Sequence, residues 1–254
     1  VFNGTGVAVY SEATRKVMQD SGCFPPDSVF VTGAPRFDPW LKATTEGPER
    51  STVLLLNYSF PEGYLAPQNF IESAKIFADV ARTTVNGTVF AMKSKKPNEE
   101  AYACNVVPEL KSAPIQFLCE EPLPSIYSRC RAVIGLNSLA LIEAFLSDVA
   151  VVVPNWGDAK RPPIESLLRD DDANDLAVTY FAASKEALRE LITCAANKEL
   201  PPKGLKTDRK RSVSRHLHFP EVGTCSDRVH DFIRQAMVQT SRPGMTGRTA
   251  GTRS

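Results

Sequence analysis

The stretch RAVIGLNSLALIEAFLSDVAVVVP, residues 131–154, decides the fold of this chain. It opens on a mostly apolar run, breaks at Asn137 and Ser138, resumes as a helical pattern, and closes on a second apolar run. Strands buried on both faces have continuous apolar sequences, and two such strands joined by a helix form a parallel β-α-β unit. We therefore predict a parallel sheet here, with Gly135 to Ser138 at the carboxyl end of a strand.

The same alternation extends on both sides of this stretch. Helical patterns at 164–170 and 184–199 follow apolar runs, and in a third helical segment, 69–85, the apolar side chains share one stripe. That stripe consists of Phe70, Ala74, Phe77, Ala78 and Ala81. The remaining apolar runs lie at 52–60, 89–93, 115–119 and 177–182. The pattern predicts an α/β fold built on a doubly wound parallel Rossmann-type sheet of about six strands.

Composition divides the chain into five regions. Residues 1–41 contain one further β-α-β pattern, and 42–51 are rich in Thr, Glu, Gly and Pro, which is typical of a linker. We assign 52–200 to the main domain, 201–240 to a C-terminal segment ending in an amphipathic helix, and 241–254 to a disordered tail. Because the chain starts at a valine on a strand pattern, we expect upstream sequence and regard 1–41 as the remnant of a truncated second α/β domain.

Bulk composition gives only broad expectations about function. The 30 Lys+Arg against 29 Asp+Glu leave a formal charge of +1, which does not indicate a nucleic-acid partner. The chain has neither a signal peptide nor ~18 consecutive apolar residues, so we expect a cytoplasmic protein with reduced cysteines. Residues 203–215 carry six cations against one acid. They allow peripheral contact with anionic lipid of an inner membrane, although a solvated face is the ordinary interpretation. The histidines lack metal-ligand spacing, so we predict no metal.

The break at residues 137–138 is the candidate ligand site. Ser138 takes the N-cap position of the next helix, and the N–H groups of Leu139 and Ala140 point outward where open α/β sheets bind ligands. A helix N-terminus suits an anion such as the diphosphate of a nucleotide. Glu143, further into the helix, would then reach a ligand hydroxyl. The alternative is an ordinary helix cap that binds nothing, with Glu143 partly exposed.

Three segments, in order along the chain, resemble parts of the GT-B type glycosyltransferases of bacterial surface-carbohydrate biosynthesis. VAVYSEATRKVMQDSGCFPPDSVFVTGAPRFD (7–38) resembles the end of their acceptor domain, V-x-S-E … V-T-G-x-P-R-F-D. GLNSLALIEAFLSDVAVVVP (135–154) is similar to their donor-site segment, and VGTCSDRVHDFI (222–233) to their closing helix. The resemblance implies transfer of a glycosyl or related group from a nucleotide-activated sugar to a glycan or lipid-linked acceptor. It requires no cofactor beyond that donor substrate.

The resemblance also implies roles for particular residues. Asn137 and Ser138, with Gly135 and Leu139 in the same turn, would hold the donor phosphates, and Glu143 would hold the ribose or sugar hydroxyls. The site would be completed by residues that follow the first two strands of the domain: Asn57, Tyr58, Ser59, Lys93 and Lys95. Lys93 matches the lysine of the family's K-P-H-P element, but this chain reads KSKKP, with Lys95 in place of the histidine. A lysine is not a general base near neutrality unless its pKa is strongly lowered, so the catalytic residue is unknown.

Other polar residues beyond the strand ends each have two interpretations. Glu120 and Glu121 lie where the base of a nucleotide would bind, or they form a solvated charge pair. The loop after 149–154 borders a sugar pocket or is simply exposed; its polar residues are Trp156, Asp158, Lys160 and Arg161. Arg36 and Asp38 are expected to fix a domain junction by hydrogen bonding rather than to contact substrate.

Two rival functions remain open. A nucleotide-sugar 2-epimerase has a similar fold and a V-T-G element. Such enzymes usually show Gly-Gly after the serine of the phosphate-binding turn and His-Pro after the second strand, and neither stands here. A non-catalytic nucleotide-binding module agrees with the missing histidine.

Overall fold

The computed structural model describes residues 4, 6–42, 50–57, 67–160, 166–219 and 223–240. The chain divides into two compact units, one formed by residues up to Lys42 and from Ser214 onward, the other by 43–213. Some predictions lie outside the described residues. These are the predictions for Tyr58, Ser59, Arg161, most of the linker at 42–51, and the tail at 241–254.

The first unit holds a small β-α-β arrangement. β1 (Val7–Val9) and β2 (Val29–Val31) pair in parallel and are connected by α1 (Glu12–Asp20). Ser11 caps α1 by accepting the N–H of Thr14 at 3.2 Å, and Gly22 follows its end with φ +67°, a left-handed conformation that favours glycine. The same unit contains α2 (Asp38–Lys42) and α11 (Cys225–Thr240).

The second unit is built on a six-stranded parallel sheet with the order β5-β4-β3-β6-β7-β8. The strands are β3 (Thr52–Leu56), β4 (Val89–Lys93), β5 (Ile115–Leu118), β6 (Cys130–Ile134), β7 (Ala150–Pro154) and β8 (Thr179–Ala182). The helices are α3 (Pro67–Thr83), α4 (Pro97–Val106), α5 (Glu109–Ser112), α6 (Leu123–Ser128), α7 (Leu139–Ala144), α8 (Ala173–Val178), α9 (Lys185–Ala196) and α10 (Lys206–His216), the last running across the division between units. The predicted parallel α/β fold is confirmed.

The core of this unit follows the predicted pattern. β3, β6 and β7 are buried along their whole length, as their continuous apolar sequences require. Phe77 of α3 packs edge-on against Phe90 of β4, with ring centroids 5.3 Å apart. Every residue of the predicted α3 stripe is buried: Phe70, Ala74, Phe77, Ala78 and Ala81.

The strand order creates a topological switch point between β3 and β6. From β3 the chain adds β4 and β5 on one side, then returns to add β6, β7 and β8 on the other. In open α/β sheets, ligands bind in the crevice outside the carboxyl ends of the strands at such a point. Asn57 follows β3 and Gly135 follows β6, so the predicted site residues lie on adjacent strand ends.

The predicted helix at 164–170 is wrong in its described part. Residues 166–169 are not helical, because the N–H of Leu167 donates to Asn137 Oδ1 at 2.8 Å and that of Arg169 to Asp175 Oδ2 at 3.1 Å. The helix starts later, at α8, where the side chain of Asp172 caps the N–H groups of the first turn. β8 consequently begins at Thr179 and not at Ala177.

α10 was not predicted, because its sequence has no apolar stripe. Its buried residues are Arg209, Ser212 and Val213, and the guanidinium of Arg209 donates to the Gly204 carbonyl at 2.6 Å and to the Asp148 carboxylate. Lys203 donates to the Thr179 carbonyl at 3.0 Å. Two of the six cations considered for lipid contact are therefore bound within the protein. Among the described helices, none is both long and apolar enough to cross a membrane.

Candidate functional site

A cleft opens at the carboxyl ends of β6 and β7. Its lining includes Asn137 and Ser138 from the turn after β6, Asn155 and Ala159 from the loop after β7, and 166–168. A second cleft is lined by Lys160, Arg169, Asp170 and Asp171, and it shares Asn155, Ser166 and Leu168 with the first. The two clefts are therefore neighbours along one edge of the sheet.

The turn after β6 depends on close backbone packing. A Cβ at Gly135 would lie 3.0 Å from Leu56 Cδ1 and 3.1 Å from Leu141 Cδ2, so any larger residue would have to push these leucines aside. Asn137 then adopts φ +29°, in the left-handed region that asparagine tolerates. Its Oδ1 accepts the N–H of Leu167, so the side chain holds the opposite wall of the cleft.

Ser138 is the N-cap of α7, as predicted. Its Oγ accepts the N–H of Ala140 at 3.3 Å. The expectation that the Ala140 amide would be open to a ligand is therefore wrong, because the cap takes it. α7 ends at Ala144 and passes at Phe145 into a 3-10 turn. A serine hydroxyl that accepts one hydrogen bond can still donate its own proton, so Ser138 retains a donor on the cleft wall.

Glu143 is buried at 8% exposure, which corrects the alternative expectation of a partly exposed side chain. It lies near the fully buried Tyr127, whose hydroxyl donates to the Ala140 carbonyl at 2.8 Å. Burial first, and the charge of Glu143 second, raise the pKa of Tyr127 well above its usual value. Gly135, Leu139 and Glu143 are not among the described residues that line the cleft.

The residues after β3 are hydrogen-bonded to the residues after β4. Asn57 donates its side-chain N–H groups to Ser94 Oγ at 2.9 Å and to the Glu99 carbonyl at 3.1 Å. Lys93 donates to the Ser94 carbonyl at 2.8 Å and to the Cys119 carbonyl. Lys95 is exposed, and its backbone N–H donates to the Glu99 carboxylate at 2.7 Å. Their assignment to a nucleotide stays a prediction.

The secondary candidates take structural roles where they are described. Glu121 forms an ion pair with Arg129, and this hydrogen-bonded pairing lowers the pKa of Glu121. Trp156 is half-buried and donates its indole N–H to Glu72, whereas Glu120 and Asp158 are exposed. Across the described part of the chain, no group of three His, Cys, Asp or Glu side chains is arranged to hold a metal ion.

Asp38 supports α11 by hydrogen bonds within the first unit, while the domain junction expected of Arg36 and Asp38 stays a prediction. Its carboxylate accepts the N–H of Cys225 at 2.7 Å and the N–H of Ser226 at 3.0 Å, which are the first two residues of α11. Burial opposes ionisation of Asp38, but the hydrogen bonds from Ser226 and Cys225 outweigh it and lower the pKa of the carboxyl. Asp38 therefore caps a helix distant in sequence.

Sequence reasoning missed the opposite wall of the cleft. Asn155 follows β7 as Asn137 follows β6, and this repeated strand-asparagine pattern was the available signal. Ser166 to Leu168 carried no signal, because Asn137 places them through one tertiary hydrogen bond. Glu72, in the middle of an amphipathic helix, also gave no sign of its contact with Trp156.

Comparisons with known proteins found similarity in structure alone. No family model matches the chain, and no curated protein matches it. The S. aureus MnaA–UDP structure aligns with a TM-score of 0.54 at 13% identity, covering 96% of this chain and 62% of that one. The wall teichoic acid polymerase TagF, soaked with CDPG, aligns with a TM-score of 0.53 at 8% identity, covering 94% and 57%. The Methanocaldococcus jannaschii UDP-GlcNAc 2-epimerase, in complex with UDP-GlcNAc and UDP, aligns with a TM-score of 0.50 at 14% identity, covering 82% and 60%.

These similarities define the class of fold. The chain has the α/β fold of the GT-B glycosyltransferases and their related epimerases, which confirms the fold that the sequence resemblance implied. At 8% to 14% identity the likeness is one of fold. The chain spans less than two thirds of the length of each of these structures, at 57% to 62%.

Proposed function

We propose that this chain contributes the nucleotide-donor site of a GT-B glycosyltransferase. The enzyme would transfer a sugar or related group from a nucleotide-activated donor to a glycan or lipid-linked acceptor. The observation that carries the proposal is the cleft at the carboxyl ends of β6 and β7, beside the switch point, with Asn137 and Ser138 in its wall. Solved structures with this fold hold UDP, UDP-GlcNAc or CDPG, which supports a nucleotide diphosphate as the ligand class.

The chemistry expected of this cleft is stabilisation of a leaving group. As the glycosyl bond breaks, negative charge develops on the nucleotide diphosphate, and fixed hydrogen-bond donors lower the energy of that state. The Ser138 hydroxyl is one such donor. Lys95, exposed in the loop after β4, would add positive charge near the donor phosphates if its side chain reaches them. The acceptor-activating base remains unassigned in this chain.

Ligand binding is tested with a thermal-shift panel of nucleoside diphosphates and monophosphates. A ligand present at about 100 times its Kd stabilises the folded state by about 2.7 kcal/mol, which raises Tm by several degrees. We expect at least one nucleoside diphosphate to produce this rise. Inorganic phosphate and the free nucleoside serve as controls and should give less. A panel without any response would end the proposal.

The role of Ser138 is tested by Ser138→Ala with Ser184→Ala as its matched control. Both serines are helix N-caps, accepting a backbone N–H at 3.3 Å and 3.2 Å, but Ser184 is not among the described cleft residues. Each variant should lose about 1 kcal/mol of folding stability. We expect nucleotide affinity to fall about tenfold only in Ser138→Ala, as for the loss of one hydrogen bond to a charged group. Equal affinities in the two variants would make Ser138 a purely structural cap.

A non-catalytic nucleotide-binding module is the second candidate. The observation in its favour is the segment after β4, where Lys95 replaces the usual histidine and Lys93 donates to two backbone carbonyls. Nuclear magnetic resonance of UDP-GlcNAc incubated with the protein separates the possibilities. Conversion at the sugar C2 position indicates an epimerase, and transfer or hydrolysis indicates a transferase. The incubation is repeated with the sugar donor of whichever nucleotide the thermal-shift panel identifies, and binding of that donor without conversion, hydrolysis or transfer indicates the module.

A further inference from the structure

Glu72 of α3 connects three elements of the second unit. Its Oε2 accepts the indole N–H of Trp156, in the loop after β7, at 3.0 Å. Its Oε1 accepts an N–H of Gln68 at 3.0 Å and pairs with Lys185 Nζ, at the start of α9, at 2.6 Å. Both carboxylate oxygens are therefore engaged by donors from the strand-end side of the sheet.

The ion pair between Glu72 and Lys185 differs from an ordinary surface ion pair. The side chain of Glu72 is only 18% exposed, and its carboxylate accepts hydrogen bonds from one cation and two neutral donors. The pairing with Lys185, followed by the hydrogen bonds from Trp156 and Gln68, lowers the pKa of Glu72 from 4.5 to about 2. Glu72 is thus fully ionised near neutrality, and the chemistry proposed for the cleft does not use it.

The contact between Glu72 and Trp156 affects the cleft, because Trp156 belongs to the loop after β7 that forms part of the cleft wall. Asn69, one turn earlier on α3, donates its side-chain N–H to the Trp156 carbonyl, so α3 holds the residue from two sides. On either side of Trp156 lie Asn155 and Ala159, and both line the cleft that contains Ser138. A shift of Trp156 would therefore move one wall of the cleft.

We propose that Glu72 is a positioning residue for this cleft. By holding Trp156, it sets the loop that carries Asn155 and Ala159 opposite Ser138. The inference rests on the proposed function for the identity of the ligand. Its geometric part, the fixing of the loop, stands on the contacts of Glu72 alone.

The experiment compares Glu72→Ala with Asp79→Ala. Asp79 also joins α3 to α9, through Arg189 at 3.1 Å, but it lies further along α3 and touches no described cleft residue. We expect Glu72→Ala to weaken binding of the best nucleoside diphosphate about tenfold, the effect of losing a hydrogen bond to a charged group. Asp79→Ala should bind as the wild type does. Glu72→Gln, which keeps an oxygen for the indole N–H, should recover most of the affinity.

A second readout follows the loop without a ligand. The chain has two tryptophans, so in a Trp40→Phe background Trp156 is the remaining indole. Glu72→Ala should increase acrylamide quenching of Trp156 about twofold, as expected for a side chain released from a fixed rotamer, while Asp79→Ala should leave it unchanged. Wild-type quenching in Glu72→Ala would overturn the inference, and so would wild-type nucleotide affinity. If the wild type itself binds no nucleotide, the proposed function fails, and the quenching series alone decides whether Glu72 fixes the loop.

Discussion

Gly135 occupies a position where an added methyl group would be tightly packed. An added Cβ would lie 3.0 Å from Leu56 Cδ1 and 3.1 Å from Leu141 Cδ2, both parts of a packed core. We expect Gly135→Ala to lower the free energy of unfolding by about 1–3 kcal/mol through overpacking, as measured by urea denaturation. Because these contacts lie at the switch point, the variant should also weaken nucleotide binding.

The source of that cost can be isolated by a double-mutant cycle. Leu56→Ala removes Cδ1, the nearer of the two side-chain atoms that an added Cβ at Gly135 would meet, so in this background Gly135→Ala should cost less than it does alone. Additive costs for the two substitutions would show that the contact with Leu56 Cδ1 is not the source of the cost.

Asp38 gives a prediction about pH. Its carboxyl pKa is lowered below the ordinary 3.8, so its stabilisation of α11 is fully present above that value and is lost as the pH falls through the lowered pKa. Asp38→Ala should lower the free energy of unfolding by about 1–2 kcal/mol near neutrality, as for the loss of a helix cap. Urea unfolding monitored by far-UV circular dichroism measures this loss. The difference from wild type should shrink below pH 3.8, whereas Asp231→Ala, on an exposed part of α11, should change little at any pH.

At the level of elements, α10 shows how a helix can be held by polar contacts. Arg209 is buried at 6% exposure and reaches the Lys203 and Gly204 carbonyls and the Asp148 carboxylate. Arg211, on the same helix, is 67% exposed and lies 3.8 Å from Asp208. Arg209→Ala should destabilise the protein by about 3 kcal/mol, because a buried pair loses one partner, and Arg211→Ala by less than about 0.5 kcal/mol. Thermal unfolding of the two variants measures the contrast, and equal losses would contradict it.

Whether an element could be predicted from the sequence depends on the kind of contact that holds it in place. β3, β6, β7 and α3 are buried by apolar side chains, so hydrophobic periodicity predicts them. α10 is held mainly by polar contacts of Arg209 and Ser212, and residues 166–169 are held by hydrogen bonds to distant side chains. Such contacts depend on which residues the fold brings together, and no local pattern records them. The loss of the Ala140 amide is different, because it is a local contact that follows from Ser138 being the cap.

At the level of the whole molecule, the clearest prediction concerns the second unit. Its six strands are parallel, as the alternation of apolar runs and helical patterns predicts, whereas the switch point between β3 and β6 follows only from the strand order. The placement of Asn57, Lys93 and Asn137 in hydrogen-bonded turns was beyond that reasoning. Their side chains serve the fold, and their contact with a nucleotide stays a prediction.

The central position of β3 in the sheet has a consequence for the nascent chain during synthesis. β3 is the first strand of its sheet to leave the ribosome, yet one of its two neighbours, β6, begins only at Cys130. Until then the nascent chain carries an apolar strand with one open edge, the kind of surface that invites pairing with other chains. We expect fragments ending between Leu118 and Cys130 to aggregate or recruit chaperones, and fragments that extend past Pro154 to do so much less.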